Sequence, residues 1–299
     1  IYKPYIMNID IRKLEIFCRV VELGSFSEAA SSLHMAQPAV SIAVRKLEDA
    51  MEVPLLDRSG RQVRPTAEGK RLQQRALGIL NDMKALKQDT LAMAGLLQGE
   101  LNIACPSMVA TYFLPDLLGD FLAEHPGLRA SIIQAGTART EEMLREDAVE
   151  LGVITQQADN QQPDLELVPL VRQPVVICVP ENHPWAGRDT LPIAELDDSP
   201  MAVYESGYFI RSHLDERCAA VDVTPDYRLQ SNFLPLLLRM VRKGLGSTVA
   251  LGILPEQEPD LVGIPLSPPS DIHVALAKRR GRTISRANQA FLDWAAIKL

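Results

Sequence analysis

Several features that mark membrane proteins, metalloproteins or secreted proteins are missing from this sequence. No apolar run approaches the roughly 18 residues of a membrane-spanning helix, and no signal peptide is evident. The 5 histidines are dispersed and no CxxC motif occurs, so we expect no metal ion and no cofactor. The chain is therefore expected to reside in the cytoplasm, with Met7 as its natural start.

Cysteine is scarce, and its placement argues against disulfides. The 4 cysteines are far apart, and most fall in apolar segments. We expect buried, reduced thiols, and a thiol that senses oxidants is the less favoured alternative. These residues are Cys18, Cys105, Cys178 and Cys218.

Catalytic signatures are missing as well. There is no GxSxG motif, and a Ser107 nucleophile with His183 or His213 as its base would lack an obvious orienting acid. Asp215 and Glu216, close to His213 in the sequence, are typical of a solvated helix face. We therefore expect no enzymatic activity.

Charge is unevenly distributed along the 299 residues. The net charge is −7, yet residues 1–75 hold 12 Lys and Arg against 9 Asp and Glu, a balance of +3. The remainder holds 19 against 29, a balance of −10. A nucleic-acid partner is thus expected at the N-terminal part, whereas the acidic remainder should stay off nucleic acid.

Residues 24–48 have the pattern of two short helices joined by a tight turn. Ser25 and Glu28 have the spacing of a capping box, with Ser27 as a competing N-cap. Pro38 fits the first turn of the second helix, where no intrahelical donor is needed. This order of elements predicts a helix-turn-helix.

The second of these helices is amphipathic. Val40, Val44 and Leu47 recur at helical spacing and predict a buried stripe. The opposite face is suited to the major groove of DNA. The residues predicted to contact DNA are Gln37, Pro38, Ser41, Ile42, Arg45 and Lys46.

A basic hairpin is predicted directly afterwards. Two short strand candidates, Pro54–Arg58 and Val63–Pro65, flank a turn. Arg58, Arg61 and Arg64 would line this wing and contact phosphates or the minor groove. A helical bundle with a solvated arginine-rich loop is the alternative, but the compact order of the elements favours a double-stranded DNA partner.

The N-terminal residues resemble those of LysR-type transcriptional regulators. The similarity runs from Ile9 to Leu72 and rests on Leu14, Phe17, Val20, Gly24, Ser25, Phe26, Ser27, Ala29, Ala30, Leu33, Gln37, Pro38, Ala39, Val40, Ser41, Leu47, Glu48, Leu55, Arg58, Arg61, Thr66 and Gly69. The chain departs from the family at Ala36, where Ser or Thr is common, and at Ile42, where a basic residue is frequent. An isoleucine there can touch only apolar surface, such as a thymine methyl.

A proline-free segment, 66–98, predicts a long linker helix stopped by Gly99. Apolar residues repeat every seven positions for nearly four heptads. This regularity favours a dimeric coiled coil over a helix docked on its own domain, and it agrees with the family. The predicted dimerisation residues are Leu72, Ala76, Ile79, Met83, Leu86 and Met93.

From residue 101 onward, short apolar runs alternate with helical segments, which predicts a parallel sheet built from βαβ units. Two α/β subdomains joined by crossovers near Val168–Pro174 and Leu266–Ile272 would enclose a hinged cleft. This arrangement resembles the periplasmic-binding-protein fold of LysR-type effector domains.

The fold class is therefore α+β multidomain, with an N-terminal winged helix-turn-helix, a long linker helix and a C-terminal α/β, periplasmic-binding-protein-like effector domain of two subdomains. We assign residues 7–66 to the winged helix, 67–98 to the linker and 101–299 to the effector domain. Within the last, subdomain I comprises 101–170 and 270–299, and subdomain II comprises 171–269.

Ligands of such folds lie beyond the carboxyl ends of strands, at helix N-termini. Ser107 and Thr137 occupy such positions, although both also fit as simple N-caps. With no Lys or Arg in the core of these segments, the pattern favours a small, singly charged acid with an apolar body. The predicted effector-binding residues are Ser107, Met108, Gly136, Thr137, Tyr204, Ser206, Phe209, Asn232 and Phe233.

These features together predict a sequence-specific transcriptional regulator controlled by a small-molecule effector, a carboxylate on this argument, bound between two subdomains. Effector binding would close the cleft and repack the subunit contacts of a homodimer or homotetramer. RNA polymerase is an expected partner if the regulator is an activator. A DNA-binding regulator without a ligand and a solute-binding protein are the alternatives, and no membrane partner is expected.

Overall fold

The computed structural model describes residues 10–59, 62–92, 97–157 and 162–298. Its contacts divide the chain into two compact units, Ile1–Thr90 with Glu146–Ala148, and Leu91–Arg145 with Val149–Leu299. No helix in the described ranges is long and apolar enough to cross a membrane.

The first unit contains the predicted helix-turn-helix. Ser25 is the N-cap of α2, and its side chain accepts a hydrogen bond from the Glu28 amide at 3.3 Å, as the capping box requires. Gly24 closes α1 in the left-handed conformation at φ 62°. The elements are α1 (Ile11–Leu23), α2 (Phe26–Ser32), α3 (Gln37–Met51), β1 (Leu56–Asp57), β2 (Arg64–Pro65) and α4 (Ala67–Ala92).

A single apolar core holds the first unit together. Val40, Val44 and Leu47 of α3 are fully buried against α1 and α2, which confirms the stripe predicted from helical spacing. β1 and β2 pair antiparallel, which confirms the predicted hairpin. The packing is tight at Gly69 of α4, where an added Cβ would lie 2.0 Å from the Leu55 carbonyl oxygen.

The linker helix is described as far as Ala92, and residues 93–96 lie outside the described ranges. Thr66 stands at its N-terminus and accepts a hydrogen bond from the Gly69 amide at 3.0 Å. The prediction that Gly99 stops this helix is wrong, because Gly99 is the first residue of a strand and has φ 147°.

The second unit is built on a mixed sheet. β3 pairs in parallel with β4 and β5, but β12 pairs antiparallel with β5 and β6, and β10 and β11 pair antiparallel with β6. The prediction of a parallel sheet is therefore correct for its first three strands and for the pairing of β7 with β11, and wrong for the strands that pair with β6 and for the pairing of β12 with β5. The strands are β3 (Gly99–Cys105), β4 (Leu128–Gln134), β5 (Leu151–Gln156), β6 (Leu165–Pro180), β7 (Leu191–Pro192), β8 (Pro200–Val203), β9 (Asp226–Gln230), β10 (Thr248–Leu251), β11 (Leu261–Ser267) and β12 (Asp271–Arg279).

The two halves of this unit share one strand. β6 pairs with β12 over its first part and with β10 and β11 over its second part. The crossover predicted near Val168–Pro174 is therefore confirmed in position, and it is formed by the continuous strand β6. The second crossover is the short connection between Ser267 and Asp271, which confirms the predicted position.

Helices cover both parts of the second unit. The predicted helix at Ala110–Glu124 is interrupted at Phe113, which ends α5 and precedes α6. β8 and β9 form a separate parallel pair. The helices are α5 (Ser107–Tyr112), α6 (Leu114–Glu124), α7 (Thr137–Arg145), α8 (Phe209–Ala219), α9 (Leu234–Arg242), α10 (Ile253–Gln257) and α11 (Arg286–Lys298).

Candidate DNA-binding surface and effector cavity

The face of α3 opposite its buried stripe is exposed. Gln37, Ser41 and Arg45 follow one another at intervals of four residues, so they lie along one line of the helix. Pro38 and Ile42 form the neighbouring line, and Ile42 is 53% exposed. Lys46 is exposed one residue beyond Arg45. The predicted reading residues therefore share one accessible surface, and their contacts with DNA stay a prediction.

The N-terminus of α3 has no side-chain cap. Ala36 is the N-cap residue and makes no side-chain hydrogen bond there, and Pro38 occupies the first turn. A helix N-terminus favours negative charge because its amides and its dipole point toward the ligand. This end of α3 is consequently suited to lie near a DNA phosphate.

Glu48 joins α3 to the wing. Its Oε1 accepts hydrogen bonds from the backbone amides of Leu55 at 3.0 Å and Leu56 at 3.2 Å. Its Oε2 accepts one from the Arg58 guanidinium at 2.6 Å, and that guanidinium lies 5.3 Å from the centre of the Phe26 ring. Arg58 thus serves to hold the wing in place, a role that the sequence did not indicate.

The remaining wing residues differ in what the structure describes. Arg64 is exposed and lies directly opposite Asp57 in the hairpin register. Arg61 lies outside the described residues. Arg64 is therefore the described wing arginine best placed to contact a DNA phosphate.

The predicted dimerisation residues of α4 fall into two groups. Ala76 is fully buried in the core of its own unit and Leu72 packs against that core, so the prediction that Ala76 faces a partner is wrong. Ile79, Met83 and Leu86 are 46%, 44% and 60% exposed. Met93 lies outside the described residues.

Four of the predicted effector residues meet at one cavity in the second unit. Met108, Thr137, Tyr204 and Phe209 line it, together with residues of α5, α8 and the sheet. The cavity is small, with about 20 Å³ of free space, which is room for little more than one water molecule. The full lining is Pro106, Met108, Val109, Thr137, Thr155, Tyr204, Tyr208, Phe209, Ile210, Leu251 and Ile272.

The hydroxyl groups at this cavity are already paired. The Oγ1 atoms of Thr137 and Thr155 lie 2.8 Å apart, and Thr137 Oγ1 also accepts a hydrogen bond from the Thr155 amide. Ser107 Oγ donates to the Tyr204 hydroxyl at 3.1 Å. Burial, as the largest cause, raises the pKa of Tyr204 well above its ordinary value. At neutral pH the cavity wall is consequently uncharged.

Backbone contacts join the two subdomains at Gly136, the residue before the lining residue Thr137. A Cβ added to Gly136 would lie 2.6 Å from the Gly207 carbonyl oxygen, so this approach requires glycine. The same oxygen accepts a hydrogen bond from the Ala138 amide, in the first turn of α7, at 3.4 Å. Nearby, the Gln134 side-chain amide donates to the Asn232 carbonyl oxygen at 2.6 Å. These bonds join subdomain I to subdomain II.

Five predicted effector residues, Ser107, Gly136, Ser206, Asn232 and Phe233, do not line the cavity. Phe233 is 57% exposed, and Asn232 and Ser206 are exposed as well. Their loops reach the rim of the cleft, but their side chains lie outside the cavity. Ser107 is buried and reaches the lining through Tyr204.

Several lining residues were missed. Thr155 is near the carboxyl end of β5, where the strand-end rule could have found it. Ile272 comes from the antiparallel strand β12, for which that rule gives no signal.

Arg211 holds the loop that follows β8. Its Nε is 2.9 Å from both carboxylate oxygens of Asp215, and its guanidinium donates to the Tyr204 carbonyl at 3.0 Å. The guanidinium also lies 3.9 Å from the centre of the Tyr227 ring. Arg211 is therefore bound within the protein and positions Tyr204 at the cavity wall.

All four cysteines are buried and free. Burial raises the pKa of Cys18 to about 12 and that of Cys218 to about 11, and it raises the pKa of Cys105 and Cys178 further. Within the described ranges, no group of three His, Cys, Asp or Glu side chains could hold a metal ion.

Comparisons with known proteins agree with this arrangement. The family described as "Bacterial regulatory helix-turn-helix protein, lysR family" matches residues 11–70, and the family "LysR substrate binding domain" matches residues 94–298. The chain is 30% identical to the "DNA-binding transcriptional dual regulator OxyR" of Escherichia coli over 84% of its length and 83% of the relative. It is 28% identical to the "RuBisCO operon transcriptional regulator" of Allochromatium vinosum over 96% of both chains.

Solved structures show the same fold. A single-residue variant of full-length OxyR from Pseudomonas aeruginosa aligns with a TM-score of 0.71 at 22% identity, covering 97% of this chain and 94% of that one. Full-length CbnR in complex with its target DNA aligns with a TM-score of 0.66 at 20% identity, covering 97% and 99%. The chain belongs to the LysR family of DNA-binding transcriptional regulators, in which a helix-turn-helix precedes an effector-binding domain.

Proposed function

We propose that a small molecule bound in the cavity lined by Met108, Thr137, Tyr204 and Phe209 controls DNA binding by this regulator. The observation that supports this is the meeting of both subdomains at one apolar cavity, whose lining residues Thr137 and Tyr208 directly follow Gly136 and Gly207 in the chain. We expect a ligand larger than water to displace the loop that carries Gly207 and Tyr208, because Tyr208 lines the cavity. The position of that loop therefore couples cavity occupancy to the angle between the subdomains.

The effector we propose is a small carboxylate with an apolar body. The Gly207 carbonyl oxygen accepts a hydrogen bond from the Ala138 amide, where a ligand carboxylate could replace it at the N-terminus of α7. Ser107 could turn its hydroxyl from Tyr204 to the same carboxylate. No Lys or Arg is among the lining residues, so a doubly charged phosphate would be poorly balanced.

A thiol-based response to peroxide is the second candidate, because several relatives are named "Hydrogen peroxide-inducible genes activator". The thiolate is the form that reacts with oxidants, and burial of every cysteine here disfavours it. We therefore propose that this chain responds to a ligand and not to oxidation.

Three further proposals complete the description. A homodimer is proposed to form through the exposed Ile79, Met83 and Leu86 of α4. The protein is proposed to act in the cytoplasm without enzymatic activity, as expected of a DNA-binding regulator. RNA polymerase is the proposed partner if the regulator activates.

The effector proposal is tested by a thermal-shift screen of small alkyl and aromatic acids, each paired with its uncharged amide. We expect one acid to raise the melting temperature of the full-length protein more than its amide does. Calorimetry should then show that Ser107→Ala and Thr137→Val each lower the affinity for the acid by about tenfold, the effect of one charge-assisted hydrogen bond.

The exposed residue Phe233 provides the matched control, since Phe233→Ala should leave the affinity unchanged. Equal binding of acid and amide would overturn the carboxylate proposal. Unchanged affinity in both Ser107→Ala and Thr137→Val would overturn the site.

A further inference from the structure

An isoleucine stands in the middle of the exposed face of α3 that is predicted to contact DNA. Ile42 is 53% exposed, with Ser41 before it and the exposed Arg45 three residues on. The core of this unit does not use it, because Val40, Val44 and Leu47 fill the buried face. Its exposure therefore has no explanation in the packing of the unit that carries it.

Helix formation does not explain this residue either. A β-branched residue is a poorer helix former than Ala, Lys or Arg at an exposed position. Its side chain is nevertheless stiff, since one χ1 rotamer dominates in helices. Ile42 therefore presents its methyl groups at a fixed place on the surface and loses little side-chain entropy on contact.

The major groove offers one main apolar target to such a side chain. Guanine, adenine and cytosine present hydrogen-bond donors and acceptors there, whereas thymine also presents its 5-methyl group. The minor groove carries no such methyl group. We propose that Ile42 contacts the 5-methyl group of one thymine in each operator half-site and thereby sets a base preference that the polar residues of α3 do not set.

The inference is tested with duplexes that the full-length protein selects from a random DNA library. Each thymine of the selected site is replaced in turn by uracil, which keeps base pairing and removes only the methyl group. Affinity is measured at one fixed salt concentration, because phosphate contacts make it salt-dependent. The proteins compared are wild type, Ile42→Ala and Val53→Ala; Val53 is a second exposed aliphatic residue of the same unit, 38% exposed.

For wild type, we expect one thymine per half-site at which uracil weakens binding. Loss of one buried methyl group should lower the affinity about fourfold, or roughly fifteenfold when the thymines of both half-sites are replaced. Ile42→Ala should bind the thymine and uracil duplexes equally, whereas Val53→Ala should behave as wild type. The T·A base pair at that position can also be changed to C·G. Replacing its cytosine by 5-methylcytosine should then restore part of the affinity of the wild-type protein, whereas the affinity of Ile42→Ala should not change.

Two results would overturn the inference while leaving DNA binding and effector control intact. Wild-type affinity could be the same on thymine and uracil at every position, which would mean that Ile42 meets no methyl group. Alternatively, the sensitivity to uracil could persist in Ile42→Ala, which would assign the methyl contact to another residue. An isoleucine that contacts a protein partner instead of DNA would give the first result.

Discussion

Separate replacement of Ile79 and Ala76 by aspartate distinguishes two roles within one helix. Both positions belong to the heptad pattern of α4, yet Ile79 is 46% exposed and Ala76 is fully buried. The same substitution should therefore disrupt the association of subunits at one position and the folding of the first unit at the other. A coiled coil formed by the whole pattern would not produce this division.

The size of the effect at Ile79 follows from its exposure. Full burial of an isoleucine side chain stabilises by about 1.5–3 kcal/mol, so covering the exposed half is worth about 1 kcal/mol per copy, or about 2 kcal/mol per dimer. That alone weakens a dimer roughly 30-fold, and two facing carboxylates add repulsion and desolvation. We expect Ile79→Asp to raise the dimer dissociation constant at least 100-fold, with little change in the unfolding free energy of the monomer.

Ala76→Asp should act on stability instead. A carboxylate in the apolar core has no partner there, and an unpaired buried charge costs several kcal/mol. We expect Ala76→Asp to lower the melting temperature of the first unit, and circular dichroism measures this change. Sedimentation equilibrium gives the dissociation constants, and Arg75→Asp, at an exposed position of the same helix, is the control.

The reasoning is refuted if Ile79→Asp leaves the oligomer unchanged, or if Ala76→Asp folds with wild-type stability. The first result would place the dimer contact elsewhere on the chain. The second would contradict the buried position of Ala76.

Three further predictions concern other parts of the chain. Gly69→Ala should lower the unfolding free energy by several kcal/mol, measured in urea, because its Cβ would lie 2.0 Å from the Leu55 carbonyl oxygen. Burial, the largest cause, and the nearby charge of Arg217 lower the pKa of His213 in the folded protein. The contribution of the neutral His213 side chain to stability is therefore fully present above pH 6.5, the ordinary pKa of histidine, and declines as the pH falls below that value. Unfolding in urea between pH 5 and 8 should show a steeper decline for wild type than for His213→Gln. Cys218→Ser should leave operator binding after peroxide treatment the same as in wild type, and a difference in gel shift would support a thiol sensor.

Local patterns were enough to predict the winged helix. The Ser25 cap, the stripe of Val40, Val44 and Leu47, and the hairpin each depend on residues close together in the sequence. Such signals concern one helix or one turn at a time, and tertiary packing did not overrule them.

The heptad pattern was less informative because periodicity does not identify the surface that a helix covers. Ala76 and Ile79 satisfy the same pattern, but Ala76 lies in the core of its own unit, whereas Ile79, Met83 and Leu86 are exposed. The tight approach at Gly69 fixes that docking, and a seven-residue repeat carries no information about it.

The effector site was predicted in part for a similar reason. Residues at the ends of parallel strands, such as Thr137, were found by the strand-end rule. Phe233 was misplaced because its exposure depends on how the loop before α9 is oriented, which its own sequence does not determine. Ile272 was missed because the antiparallel pairing of β12 with β5 and β6 joins residues far apart in the sequence.

The bonds of Glu48 have a consequence for signalling. One carboxylate joins α3 to two amides and one guanidinium of the wing, and we expect these bonds to hold α3 and the wing in one relative orientation. An effector signal that reaches this unit can then alter its distance from a second copy, but not the aim of α3 relative to its own wing. Effector should accordingly change which spacing of half-sites is preferred, while the base sequence read within each half-site stays the same.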